Sequence, residues 1–295
     1  MNNFRSLTAP SGTQPTSTYL QSKQHKNYLA IVLKDQMTLS SWLAIGACFN
    51  SLLLLAIGRI ALLLPFLLVT FRIGDAVLQT YGFKKNPLMD GGILSKYSAQ
   101  FPNQDGTFGP KPASEQIVVF LIGARSNHPM GALAPGFKRL GDFFDSMIRD
   151  VEAHAEEYTY LGSSDWIANA ERSTGNEIMT VIYFKTSEGL HNYAHGELHR
   201  QGWNWWNKNL ARFNHLSIWH EVYVAPKGHW ENIYINTRPL LMGATAFPVK
   251  TEAGTKWVSP VVDASRGVLK SSRGRMTLGD GTDYEMYAPD PYAKE

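Results

Sequence analysis

The chain has a single cysteine, Cys48, and it sits inside an apolar run. That excludes an intrachain disulfide, a cysteine zinc site and an iron–sulfur cluster. Charge of one sign is also scarce: 28 basic and 25 acidic residues leave a formal net charge of +3 on 295 residues. No basic run is interleaved with aromatics, so nucleic acid is not an expected partner. Any chemistry must come from histidines, carboxylates, aromatics or a bound cofactor. The rest is ordinary for a folded protein, 44% hydrophobic and 18% charged, with length for one large domain or two small ones.

The opening residues are Ser, Thr, Gln, Asn and Pro with few apolar side chains, and residues 1–37 are expected as a disordered leader. From Trp42 to Phe71 the chain turns almost wholly apolar, broken by Asn50, Arg59 and Pro65. As one helix this stretch would measure about 45 Å, against a hydrocarbon core of about 30 Å. Arg59 at the bilayer centre would cost about 3 kcal/mol. A tilted span that lets Arg59 snorkel, or a shallow hairpin bent near Gly58 and Arg59, avoids that cost. Lysines and arginines balance on the two flanks, which suits a hairpin with both ends in the cytosol. Residues 38–85 are therefore expected as a membrane attachment, with the endoplasmic reticulum, cytosolic side, as its place.

Residues 86–115 are rich in Pro, Gly, Asn and Gln and read as a linker. A domain over 116–237 follows. Ile117–Ser126 is an apolar, β-branched run of strand length, and Phe137–Ala153 places apolar residues at helical spacing behind Pro135. Tyr158–Ile167 and Glu177–Phe184 read as a second and third strand around a turn at Gly175 and Asn176. His215–Val224 is a fourth strand and Trp230–Asn236 a short fifth. Strand, helix, strand, strand, helix, strand is the split βαβ or ferredoxin-like order of an α+β domain. Its sheet leaves one face bare, which a second subunit commonly covers. On the fourth strand, Leu216, Ile218, His220, Val222 and Val224 should face the helices. His215, Ser217, Trp219, Glu221 and Tyr223 should line a cavity on the other face. Residues 238–295, Gly-, Pro- and Ser-rich with scattered charge, are expected as an irregular extension.

The segment that draws the chemistry is Ser187–Lys208, SEGLHNYAHGELHRQGWNWWNK. Read as one helix, it puts His191, His195, His199 and Trp203 on one slowly drifting face, because four-residue steps nearly match the helical repeat. Trp205 and Trp206 follow, and at least one of the three tryptophans is expected at a dimer interface or a membrane surface.

VVFLIGARSNHPMGALAPGFKRLGDFF, EEYTYLGSSDW, YFKTSEGLHNYAHGELHRQGWNWWN and IWHEVYVAPKGHWENIYIN together resemble the monooxygenase-like family that includes the fumagillin-cluster oxygenase. The resemblance covers about Gln116–Asn236. It implies a homodimeric α+β barrel, often with an N-terminal hydrophobic segment in fungal members. It also implies a monooxygenase of secondary metabolism that oxidises or oxidatively cleaves an apolar, polyketide- or terpenoid-derived substrate.

Two routes are open for such a reaction. In a cofactor-independent one, an electron-rich substrate carbanion meets oxygen and a neutral histidine serves as base. In the other, a haem is held by one axial histidine with aromatics packed on it. His195 and His199 are the candidates for both roles, with Trp203 beside the haem. A non-haem ion on His195 and His199, completed by Glu221 or His220, is a third possibility. Arg125, Asn127 and His128 close the first strand at the cavity mouth, and Arg125 or a histidine is the expected partner of Glu221. His25, His154, His191, His215 and His229 are expected to be structural or exposed. A haem-dependent dehydratase or lyase on the same barrel, or a non-catalytic binder of apolar metabolites, would share these features.

Overall fold

A computed structural model describes residues 3–24, 30, 33–34, 36–167, 177–283 and 290–292. Its centre is a four-stranded antiparallel sheet built from β2 (Ile117–Ser126), β3 (Tyr160–Ile167), β4 (Ile178–Phe184) and β5 (Leu216–Ala225), in the order β3-β4-β2-β5. That order, with a helix after β2 and a helix pair after β4, is the ferredoxin-like arrangement. Long apolar runs on β2 and β4 suit strands covered on both sides. They pair from Val118 opposite Phe184 to Ala124 opposite Ile178. β5 pairs with β2 over its whole length, from Ile117 opposite Ala225 to Ser126 opposite Leu216. The turn expected at Gly175 and Asn176 lies outside the described residues, as does His25.

On one face lie α4 (Phe137–Ala153), α5 (Ser187–Ala194) and α6 (Glu197–Asn209). They enclose a core of Val118, Phe120, Ile148, Val151, Ile182, Phe184, Leu190 and Tyr193. Pro135 falls just before α4, whose N-cap is Gly136 at φ 84°, with the Phe213 ring so close that a Cβ would lie 2.9 Å from it. The opposite face is closed by the chain itself. β1 (Ile93–Ala99) joins β6 (Tyr234–Thr237) and β9 (Val261–Asp263) in a second sheet, order β6-β1-β9. Tyr97, Phe101, Trp230, Tyr234, Met242 and Phe247 pack there against Ile117, Leu161, Val181 and Tyr183. The face expected to wait for a second subunit is thus largely covered in cis.

Three expectations change here. The segment read as a linker holds β1, buried from Lys96 to Ala99, where Tyr97 and Ala99 join the core, the Ser98 hydroxyl donates to the Asn232 carbonyl and the Ala99 N–H donates to Asn232 Oδ1. The segment read as an irregular extension holds β9 and a hairpin, β7 (Phe247–Thr251) and β8 (Gly254–Val258), followed by α7 (Ser272–Arg275). Buried Arg275 pairs with Glu231 at 2.7 Å, and buried Lys96 pairs with Asp290, so part of its scattered charge is structural.

The third change is at the leader. Ser6 and Ser11 bridge to Val262 and Trp257. α1 (Thr18–Gln24) drops Tyr19 and Leu20 into the helix-side core at 2% and 6% exposure. Polar composition misleads because the serines and threonines serve as partners for the domain's own polar groups: the Ser17 N–H donates to Glu152, Thr18 to the Ser163 carbonyl and Ser22 to Asp165. Two apolar side chains suffice to seat so short a helix.

The apolar stretch forms α2 (Leu39–Ile57) and α3 (Leu63–Thr80), joined by a 3-10 turn over Gly58–Leu62. The break falls at Gly58, whose φ of 68° favours glycine, and neither helix buries a residue. Together, Leu39–Thr80 is long and apolar enough to cross a membrane.

Candidate functional site

The His/Trp segment is two helices rather than one. α5 ends where the His195 N–H donates to the His191 carbonyl, and Gly196 takes extended dihedrals as the N-cap of α6. The histidine row is therefore bent. His191 and His195 stay on the exposed side with rings 5.7 Å apart, and His195 Nδ1 lies 2.8 Å from the His191 carbonyl. His199, one turn into α6, lies inward and half-buried, its ring 6.2 Å from that of buried Tyr193. Gly202 on α6 lets this happen, because Met147 of α4 packs where a side chain would stand.

Burial pushes the His199 pKa below its ordinary 6.5, and the nearby imidazoles of His195 and His220 push the same way. A base that is neutral at pH 7 and partly shielded from water results. His220 belongs to the helix-facing side of β5, as expected from strand alternation, with its ring 5.6 Å from Phe120. It is exposed rather than buried, since the helices stop short of β5. Ile218, Val222 and Val224 on the same side are likewise 38%, 45% and 46% exposed. Together they form an apolar shelf with His199 and His220 at its inner edge.

The other candidates go elsewhere. Arg125 lies on the opposite face, where it pairs with Glu177 at 3.3 Å; Trp219 Nε1 donates to the same carboxylate at 3.2 Å. Trp219 covers Gly123, where a Cβ would come within 2.3 Å of the indole. Glu221 is exposed on that face and accepts from the Tyr223 hydroxyl at 2.7 Å, so neither Arg125 nor a histidine is its partner. His128 sits at the end of β2 with its ring 5.0 Å from that of His215, which donates to the Pro135 carbonyl. Trp203 is 52% exposed, while Trp205 packs on Phe143 and Phe213.

The site therefore brings together His199, His220 and, at its rim, His195, and separates them from Arg125, His128 and Glu221. Glu221 faces away from His220, so it cannot complete an ion site with His195 and His199. Among the described residues no group of three or more His, Cys, Asp or Glu is placed to hold a metal. The expected haem set fits poorly as well. His195 is engaged by its own helix, Trp203 stands out in solvent, and Tyr193 and Phe120 fill the space beside His199 and His220. Two residues that sequence reasoning passed over matter here. Tyr193 is the buried wall behind His199, signalled by its place three residues after Leu190. Glu177 immediately precedes β4 and pairs with Arg125.

The family model of the monooxygenase af470-like proteins matches residues 117–242, which bears out the resemblance carried by the motifs and gives the class: an oxidoreductase of the monooxygenase type. A relative similar over nearly its full length is Monooxygenase af470 of Aspergillus fumigatus. It is 29% identical over 255 residues, 85% of this chain and 92% of the relative. Among solved structures, SnoaB, a cofactor-independent oxygenase from Streptomyces nogalater, is 10% identical with a TM-score of 0.24, covering 36% of this chain and 90% of its own. A putative antibiotic biosynthesis monooxygenase from Deinococcus radiodurans is 11% identical with a TM-score of 0.24, covering 36% and 89%.

Proposed function

We propose that the protein is a membrane-attached monooxygenase of secondary metabolism that oxidises an apolar, carbanion-forming substrate, with His199 as the base. The observation that carries this reading is the half-buried, neutral imidazole of His199 beside the apolar shelf on β5. The shelf takes an apolar substrate, polyketide- or terpenoid-derived, by shape-tolerant contact with Ile218 and Val222. His199 accepts a proton from an acidified C–H of that substrate. The resulting carbanion supplies electrons to O2 and forms a hydroperoxide; loss of water then leaves a carbonyl where a CH2 had been. No external reductant is needed, since the substrate provides all the electrons. The proton held on His199 returns to the peroxide anion, so the sequence is neutral overall.

The apolar helices α2 and α3 support attachment to a membrane, into which such a substrate partitions, and the expected place is the endoplasmic reticulum with the domain in the cytosol. A second copy of the chain is the remaining expected partner. The test is oxygen uptake by the full-length protein with enolisable polycyclic phenols and ketones, wild type against His199→Gln. Uptake that is metal-independent and lost in His199→Gln, with substrate binding kept, supports the reading. Equal uptake in the variant overturns it, and binding without oxygen consumption in either protein identifies a carrier.

A further inference from the structure

The chain on either side of the apolar helices belongs to one folded unit. Before α2, Ser6 and Ser11 bridge to Val262 and Trp257, and α1 seats Tyr19 and Leu20 in the helix-side core. After α3 the chain enters buried β1, whose Tyr97 packs against the central sheet. Two segments of one packed domain cannot lie on opposite sides of a bilayer, so α2 and α3 cannot make a single crossing. A straight helix over the 42 residues Leu39–Thr80 would also run about 63 Å and carry its far end well away from the domain. The turn at Gly58–Leu62 divides the stretch instead into legs of 19 and 18 residues. Each leg measures about 27–28 Å, close to a hydrocarbon core of about 30 Å. Arg59 then belongs to the turn, near the opposite headgroups, rather than to the middle of a span.

One end of the domain is suited to meet that bilayer. β2 and β3 end there and β4 and β5 begin there, since Ile167, Ile178, Ala124 and Ile218 lie in one row across the sheet. α1 runs along β3 towards this end, from Thr18 at Ser163 to Ser22 at Asp165. Gln36, three residues before α2, accepts at 2.7 Å from the Ala132 N–H in the loop after β2. The entry to the apolar pair is thus fastened to this end. Met130, Leu133, Trp166, Ile167 and Leu210 are all large, apolar and exposed here. Arg139, Lys208 and Arg212 stand exposed around them, the two arginines over the rings of Phe143 and Phe213. Apolar and aromatic side chains ringed by cations suit the headgroup zone of a membrane. The other end of the sheet presents Glu115, Gln116, Lys185 and Lys227 instead. We propose that α2 and α3 enter and leave the bilayer through one leaflet, turning at Gly58, and that this end of the domain rests on the phospholipid headgroups of that leaflet. The proposal rests on the reading of the apolar pair as a membrane attachment. It also gives the substrate a route: the shelf on β5 begins at this same end with Ile218, so an apolar molecule passes from lipid to His199 without crossing bulk water.

The test uses the full-length protein with Cys48→Ser to remove the native thiol, and one new cysteine at a time. In sealed microsomes, a membrane-impermeant maleimide should reach Thr13→Cys and Lys227→Cys from the same side. Labelling of one from outside and of the other only after the vesicles are opened overturns the shared leaflet. For the docked end, the cysteines are Leu133→Cys and Leu210→Cys, each carrying an environment-sensitive fluorophore in vesicles of phosphatidylcholine and phosphatidylserine. Leu52→Cys on α2 and Lys227→Cys serve as the inserted and the aqueous references. Nitroxide-labelled lipid should quench the label at 133 and 210 several-fold more strongly than at 227. Quenching at 133 and 210 no stronger than at 227, while 52 is quenched, overturns the docking alone. Labels there that neither the lipid nor aqueous iodide reaches mean that protein covers this end, which also overturns it. A label at 52 that the lipid does not quench removes the membrane reading and this proposal together. His199→Gln should leave every one of these readings unchanged, so the catalytic reading stands or falls separately.

Discussion

The two faces of β5 present titratable groups one residue apart, and their surroundings give them different fates. On the helix side, His220 lies against Phe120 and adds its charge to the pressure that keeps His199 neutral. On the other side, Glu221 stands in solvent with Tyr223 as its hydrogen-bond donor, and Arg125, opposite Ser217 further along the strand, is paired with Glu177. Strand alternation decides which face a residue takes, but burial decides what the group can do there. An imidazole partly withdrawn from water holds its proton less tightly and stays neutral to a lower pH.

The sharpest way to break this contrast is to remove each group in turn. His199→Gln should lower turnover about 10²- to 10⁴-fold, the usual worth of a positioned general base. Glu221→Gln should change it less than about threefold, and oxygen uptake under matched conditions compares the two. The next largest effect falls on stability. Leu20→Ala, which empties a site in the helix-side core, should cost about 2–5 kcal/mol in urea unfolding. A value near zero would mean that α1 is not seated there.

On the opposite face, Gly123→Ala drives a methyl group into the Trp219 indole. Trp219 is only partly buried and can swing away, giving up its bond to Glu177. About 1–3 kcal/mol is expected, with a change in tryptophan fluorescence.

A smaller effect follows from pH. Since the folded pKa of His199 lies below 6.5, the unfolded chain binds its proton more readily. The contribution is fully present above about pH 6.5 and is lost as pH falls from there towards the lower folded pKa. Melting temperatures measured between pH 7.5 and 5 should therefore fall less in His199→Gln than in wild type. Smallest of all is Lys138→Ala, which breaks the exposed pair with Asp142 and should cost under about 1 kcal/mol.

The strand and helix order of the central domain was legible because β2 and β4 are continuous apolar runs and α4 repeats Phe, Leu, Met and Ile at helical spacing. The apolar helices were legible from length alone. What stayed hidden depends on contacts distant in sequence. Nothing local in Gln14–Gln24 announces that Tyr19 finds Phe144, or that Asn232 ties β1 to the chain beyond β5. At the site, the four-residue spacing of His191, His195 and His199 pointed to one stripe. Gly196 was the signal that α5 and α6 part company, and it divides two exposed imidazoles from the half-buried one. Alternation along β5 correctly put His220 and Glu221 on opposite faces. That Glu177 rather than Glu221 would meet Arg125 followed only from the pairing of β4 with β2.

The most direct test of the base is a pH titration of the histidine side chains by long-range ¹H–¹⁵N correlation in the full-length protein. His199→Gln assigns the resonance. A His199 that stays neutral until pH falls below 6.5 is the result predicted by its burial beside His195 and His220. A His199 that takes its proton at or above 6.5 would contradict it, and would leave the shelf on β5 without a base.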